Sequence, residues 1–292
     1  MGHPMRVRLL AIESPFPQVP STLRLLEPQG SCHNTLWQRL FDGTYDKPFI
    51  IDSGVRRFLH FDLNTVQSAM RLDDPDRLSL RYTRKMMTFL LFNRAPERIL
   101  LLGLGGGSLA KFCYRRLPCT LLTAVEVNPD VIALREEFRI PRDDPRFRVI
   151  CADGVTYVAN LNRSKDVILA DACDRAGIAP QFNTIEFYQD ARRCLSPGGL
   201  LVINMCSAID DCVAHLAKIR AVFGGEFMTL QVRPNGNVIV LAFKELPRPE
   251  IDWEQLEVNA VDLKRRFGLD FPKYVRRIAL DWKLRRWGRA FV

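Results

Sequence analysis

Apolar and polar positions follow two rhythms along this chain. Between residues 48 and 72 short runs, Phe49–Asp52, Arg57–Leu63 and Val66–Leu72, are separated by turn residues at Ser53-Gly54 and Asn64-Thr65, which predicts a small antiparallel β unit. Before it, prolines at 4, 15, 17, 20 and 28 interrupt every longer run, so residues 1–45 read as an arm with one short strand near Val7–Ile12. Leu80–Phe92 carries apolar residues at helical spacing. From Arg98 onward strand and helix patterns alternate. Ile99–Leu102, Leu121–Val125, Phe147–Cys151, Asp166–Ala170 and Leu200–Asn204 read as strands. Leu109–Leu117, a helix capped by Asn128 and running to about Phe138, the stretch from Asp153-Gly154 through Leu161, Phe187–Cys194 and Asp211–Phe223 read as helices. Phe227–Val232 and Asn237–Phe243 flank Arg233-Pro234-Asn235-Gly236 as a closing antiparallel hairpin. The expectation is an α/β fold, a doubly wound and mostly parallel sheet preceded by a small N-terminal β domain. The expected boundaries are residues 1–78 for arm and β domain, 79–246 for the parallel-sheet domain and 247–292 for a helical extension.

The first strand of the alternating part runs straight into glycines, RILLLGLGGGSL at Arg98–Leu109. Glycine permits the tight turn and lets backbone N–H groups approach a ligand with no side chain between. The next strand ends in Glu126, where a carboxylate can accept hydrogen bonds from both hydroxyls of a ribose. In such sheets ligands sit at the carboxyl ends of the strands, and Gly103, Gly105, Gly107, Glu126, Asp153 and Asp171 all fall there. A dinucleotide loop needs glycine where this chain has Ser108. The spacing Gly103-x-Gly105-x-Gly107 instead resembles the loop that binds the sulfonium nucleoside S-adenosylmethionine. Ser108 reads as the cap of the helix it starts.

Composition narrows the setting. The chain has 292 residues, 47% of them hydrophobic, which is enough for a full core. No apolar run reaches the roughly 18–20 residues of a membrane helix. The first residues show no signal-peptide pattern, and the eight cysteines form no C-x-x-C pair. Reduced thiols in a cytoplasmic protein are expected. Histidines 3, 33, 60 and 215 are too dispersed for a metal site, so no metal is expected. The net charge of +9 is concentrated in the tail, where ten basic residues from Lys264 onward face only Asp270 and Asp281. Pro272–Arg289 reads as an amphipathic helix with Tyr274, Ile278 and Trp282 in line. It either docks on the core or meets an anionic partner.

From about Phe49 to Phe243 the chain resembles spermidine synthase and its relatives, the polyamine aminopropyltransferases. The matching stretches are the glycine loop, VEVNP at 125–129, CADG at 151–154, DACD at 171–174, Phe182–Tyr188 with Glu186 and Tyr188, and SPGGLL at 196–201. The resemblance implies an N-terminal β domain with a Rossmann-like domain, and a homodimer. It also implies transfer of an aminopropyl group from decarboxylated S-adenosylmethionine to a small amine. It places Glu126 on the ribose, Asp153 on the adenine edge, Asp171 as general base and Asp174 beside the attacking amine. Tyr82 and Gln67 would line the pocket, and Tyr188 the acceptor side.

Two departures change the expectation. The family loop carries an aspartate where this chain has Gly106; that aspartate holds the aminopropyl amine and would repel the carboxylate of the intact donor. Its absence makes intact S-adenosylmethionine an admissible donor beside the decarboxylated one. Arg233 stands in the acceptor-side turn, where a guanidinium opposes a diamine and suits an anionic acceptor better. The expected activity is therefore alkyl transfer from a decarboxylated or intact sulfonium nucleoside to an amine other than putrescine. A methyltransferase on the same fold is the second reading, and a non-catalytic nucleoside-binding protein acting through its basic tail is the third.

Overall fold

The computed structural model describes residues 9–14, 21–162, 164–172, 179–206, 209–225, 227–233, 236–245 and 251–290, without the side chains of 209–211 and 284–290. Five short strands open the chain: β1 (Leu10–Glu13), β2 (Thr22–Leu25), β3 (Phe49–Asp52), β4 (Arg56–His60) and β5 (Val66–Arg71). They form one antiparallel sheet in sequence order. Helix α1 (His33–Phe41) lies between β2 and β3 and seats Leu36 and Leu40 in a small core with Leu23, Leu25 and Phe49. This corrects the expectation of an arm with a single strand. The prolines confine the irregular backbone to the connections, and Thr22–Leu25 and His33–Phe41 lie in proline-free gaps.

The chain then passes through α2 (Arg81–Met86), which tightens into a 3₁₀ turn over Met87–Leu91, and enters the second sheet. Its elements are β6 (Arg98–Leu102), α3 (Ser108–Arg116), β7 (Leu121–Glu126), α4 (Pro129–Ala133), β8 (Phe147–Cys151), α5 (Gly154–Ala159), β9 (Lys165–Ala170), α6 (Ile185–Cys194), β10 (Leu195–Met205), α7 (Ile209–Phe223), β11 (Phe227–Gln231) and β12 (Val238–Phe243). The strand order is β11-β12-β10-β9-β6-β7-β8; β12 runs antiparallel to β10, and the strands from β10 to β8 are parallel. This is the doubly wound sheet with a closing hairpin that the alternation predicted.

Both faces of the sheet are buried, as the continuous apolar runs require. Ile99 and Leu101 of β6 pack on the side covered by α3 and by α8 (Trp253–Phe267) and α9 (Phe271–Ala290). Leu100 and Leu102 face α5, α6 and α7. Helix α8 falls within the helical extension expected over 247–292; Leu256, Ala260, Leu263 and Phe267 sit at helical spacing behind the Asp252 cap. The basic α9 buries Phe271, Tyr274, Val275 and Ile278 against the core, so its apolar stripe is a docking face. Trp282 packs partly against the same cluster. Among the described residues no helix is long and apolar enough to cross a membrane.

Helix α4 ends five residues earlier than its pattern suggests. Beyond Ala133 the bonds become mostly three-residue turns, such as Arg139 N to Glu136 O at 3.0 Å, and Arg139 adopts a φ of 53°. The reversal folds Phe138 and Ile140 back beneath the glycine loop. A guanidinium bridge joins the first sheet to this reversal. Arg57 gives Nε and Nη2 to the two carboxylate oxygens of Asp52 at 2.7 Å each, and Nη1 to Glu137 Oε2 at 2.7 Å.

Candidate active site

The tips of the parallel strands open into one cavity of about 670 Å³. Its floor is the glycine loop. Gly103 sits at φ 92°, and a Cβ there would lie 2.4 Å from the Asp171 carbonyl oxygen, so the loop can cross the end of β9 only as glycine. Gly106 is held by packing: a Cβ would meet Ser68 Oγ at 2.6 Å and Phe138 Cδ1 at 2.9 Å. Gly103 and Gly105 line the cavity. Gly107 stands behind the wall as the N-cap of α3, with φ 65°. Ser108 is therefore the first helical residue and not its cap; its hydroxyl faces Ser68 Oγ at 3.4 Å on the cavity wall.

Three carboxylates reach this cavity among the described residues. Glu126, at the tip of β7, is fixed by two backbone amides, Leu104 N to Oε2 and Asn128 N to Oε1, each at 2.9 Å. Each oxygen keeps a lone pair for a ligand hydroxyl. Asp153 caps α5 through Thr156 N at 2.7 Å. Asp171, just beyond β9, accepts from Asn204 Nδ2 at 2.8 Å and from the Tyr82 hydroxyl at 3.1 Å. Burial raises the Asp171 carboxyl above its ordinary range, and the two hydrogen bonds pull it partly back. Burial and the facing Asp171 charge hold the Tyr82 phenol well above its usual value, so it stays protonated and donates.

Thus Tyr82, Gln67, Gly103, Gly105, Glu126, Asp153 and Asp171 converge on one cavity. Besides Gly107, two expected residues stand elsewhere. Tyr188 is fully buried between α6 and α7, its hydroxyl 2.7 Å from His215 Nδ1, because its position on α6 faces the core. Arg233 is exposed and does not line the cavity; its carbonyl accepts from Arg81 Nη1 at 2.9 Å. Asp174 lies outside the described residues. His60 is a strand residue stacked on Phe49, with Nδ1 3.0 Å from Asp62 O.

The pattern did not reveal Asn204 or Asn237. Asn204 is nearly fully buried, and Asn237 Nδ2 donates to its Oδ1 at 3.0 Å. The signal was a lone amide at the tip of an apolar strand, the position where doubly wound sheets bind ligands. Cys206, also on the wall, is disulfide-bonded, which corrects the expectation of reduced thiols at that position. Cys32, Cys113, Cys119, Cys151, Cys194 and Cys212 are free.

The spermine/spermidine synthase domain model matches residues 79–224, the stretch that carries the glycine loop and all three carboxylates. The chain belongs to the spermine/spermidine synthase family. It is a transferase. The family includes a polyamine aminopropyltransferase of Chromobacterium violaceum, 40% identical over 230 residues that cover 78% of this chain and 88% of the relative. The spermidine synthase fold of Thermotoga maritima superposes with a TM-score of 0.56 at 20% identity, covering 77% of this chain and 85% of that one. Human methyltransferase-like protein 13, solved in complex with SAH, superposes with a TM-score of 0.59 at 24% identity, covering 65% of this chain and 93% of that one. At these identities the two superpositions speak for the family's fold alone.

Proposed function

We propose that this chain transfers an alkyl group from a sulfonium nucleoside derived from S-adenosylmethionine to an amine, with aminopropyl the group suggested by its relatives. The reading rests on one observation: Asp171, held by Tyr82 and Asn204, faces the same cavity as the glycine loop, Glu126 and Asp153. The donor supplies a carbon made electrophilic by its bond to positively charged sulfur. Glu126 receives the ribose hydroxyls, and Asp153 stands for the adenine edge. The attacking amine needs a free lone pair, and Asp171 accepts the proton the nitrogen must lose. Tyr82 and Asn204 orient that carboxylate, and Gln67 closes the cavity from the first sheet. Gly107 supports the loop from behind.

A second reading, with intact S-adenosylmethionine as donor, is favoured by Gly106. Ser68 and Phe138 fill the space a side chain would need there, so position 106 places no carboxylate against the donor's amino-acid tail. The neighbouring wall offers Ser68 and Ser108, two neutral hydroxyls.

Calorimetry with methylthioadenosine, decarboxylated donor and intact donor tests both. Methylthioadenosine binding is expected, since the nucleoside contacts do not depend on the tail, and the tighter donor identifies the tail. No binding of any of the three at millimolar concentration would remove the reading.

A further inference from the structure

The closing hairpin reaches Asp171 by two routes, although β10 lies between β12 and the β9 strand that Asp171 follows. At the end of the hairpin Val232 N bonds the Asn237 carbonyl at 2.7 Å. Asn237 lines the cavity and donates Nδ2 to Asn204 Oδ1 at 3.0 Å. Asn204 passes the contact on, giving Nδ2 to Asp171 Oδ1 at 2.8 Å. The second route runs through α2. Arg81 Nη1 holds the Arg233 carbonyl at 2.9 Å, and the next residue, Tyr82, donates to Asp171 Oδ2 at 3.1 Å. One hairpin end is thereby tied to the donor on each carboxylate oxygen.

A primary amide is directional: its oxygen only accepts and its nitrogen only donates. Asn237, Asn204 and Asp171 therefore match in one sense alone, with each NH₂ pointing toward the carboxylate. Turned over, Asn204 would set its oxygen against the carboxylate and its NH₂ against another NH₂. Asn204 is 3% exposed, so solvent does not replace a lost partner. A donor on its oxygen also polarises the amide and strengthens the hydrogen bond its NH₂ gives, and bonds to an ionised acceptor are the strong ones. Tyr82 and Asn204 are the two side chains whose hydrogen bonds act on the Asp171 carboxyl, and Tyr82 is the titratable one.

We propose that Asn237 is a positioning residue for the transfer: from the hairpin it keeps the Asn204 NH₂ on Asp171 and so holds the carboxylate ready for the amine's proton. This rests on the alkyl-transfer reading above. In that reaction the nitrogen lone pair forms the N–C bond, the S–C bond breaks, sulfur leaves as a neutral thioether and the proton goes to Asp171.

The test reads the base directly. The side-chain carboxyl of Asp171 is titrated through its carbon-13 shift in the full chain, with the signal assigned by its loss in Asp171→Asn. Asn237→Ala removes the donor and is expected to raise the midpoint by about half a pH unit. Asn237→Asp keeps the shape but, ionised, only accepts. It draws the Asn204 NH₂ away and is expected to raise the midpoint by about one unit or more. Asn204→Ala is expected to raise it by about one unit, and adding Asn237→Ala to that variant to move it by no more than about 0.2 units, since Asn237 acts through Asn204. A residue that only held the hairpin together would leave the midpoint in place. A shift as large without Asn204 as with it would mean a separate route. Either result overturns the proposal. The transfer reading has its own readout: failure to bind any of the three nucleosides in the calorimetry above removes that reading and the proposal with it. An unmoved midpoint with nucleoside binding intact removes the proposal alone.

Discussion

Asn237 Nδ2 donates to Asn204 Oδ1 at 3.0 Å, and this contact fixes which end of the Asn204 amide points at Asp171. With its oxygen occupied by the hairpin, Asn204 presents its NH₂ to the carboxylate. Asp171 is thus buried with two donors upon it. Burial raises its carboxyl above the ordinary range and makes it a stronger base than a solvated one, while the two hydrogen bonds favour the ionised form.

The pH dependence follows. The Asp171 pKa is raised, and the base is the ionised form, so kcat/KM is expected to rise with pH along a limb lying above the usual carboxylate range. Tyr82→Phe or Asn204→Ala removes a donor that favours the ionised form and should move this limb further up, by about one pH unit. A pH-rate profile of the three proteins checks it; an unmoved limb would mean that Asp171 is not the titrating group.

Asp171→Asn should leave methylthioadenosine affinity within about twofold while lowering turnover about a hundredfold or more, the usual span of a lost general base. Calorimetry beside a single-turnover assay separates the two effects. Unchanged turnover would end the assignment.

Lys111 is 1% exposed, donates to the Phe138 carbonyl at 2.7 Å and has its ammonium pushed down to about 8 by burial. Its folded pKa lies below its unfolded one, so the unfolded chain binds more protons between about pH 8 and the ordinary lysine value. Stability from this group is complete above that window and is lost as pH falls through it. Lys111→Met should flatten that part of the stability curve, read by urea unfolding at pH 7.5 and pH 10 and compared with wild type.

Gly103→Ala forces a Cβ to 2.4 Å from the Asp171 carbonyl at a backbone angle alanine rarely adopts. The expected cost is about 2 kcal/mol or more, together with weaker nucleoside binding, because the loop and the end of β9 must separate. Denaturant unfolding and calorimetry measure both.

Much of this architecture was legible because parallel strands buried on both faces read as unbroken apolar runs, as in ILLL at 99–102 and VILA at 167–170. The glycines and the acids at strand tips were legible because their backbone positions fix their chemistry. Side-chain direction was not. Tyr188 lies near the matched motifs in sequence, but its helical phase turns it to His215. Arg233 was expected to face the acceptor, yet it is exposed outside the cavity and its carbonyl accepts from Arg81, 152 positions earlier. The end of α4 was misjudged because the reversal at Arg139 answers to packing beneath Gly106 and Gly107, a tertiary demand that no local pattern carries.

The cavity draws its wall from both sheets: Gln67 and Ser68 come from β5, whereas Glu126, Asp153 and Asp171 stand at the tips of the parallel strands. A nucleoside lodged there acts as a rivet between two sheets that already share one buried apolar cluster. Its occupancy should raise the transition temperature with ligand concentration. A chain starting at residue 79 would keep the motif-bearing sheet but lose this roof, and with it the means to shut water out of the reaction.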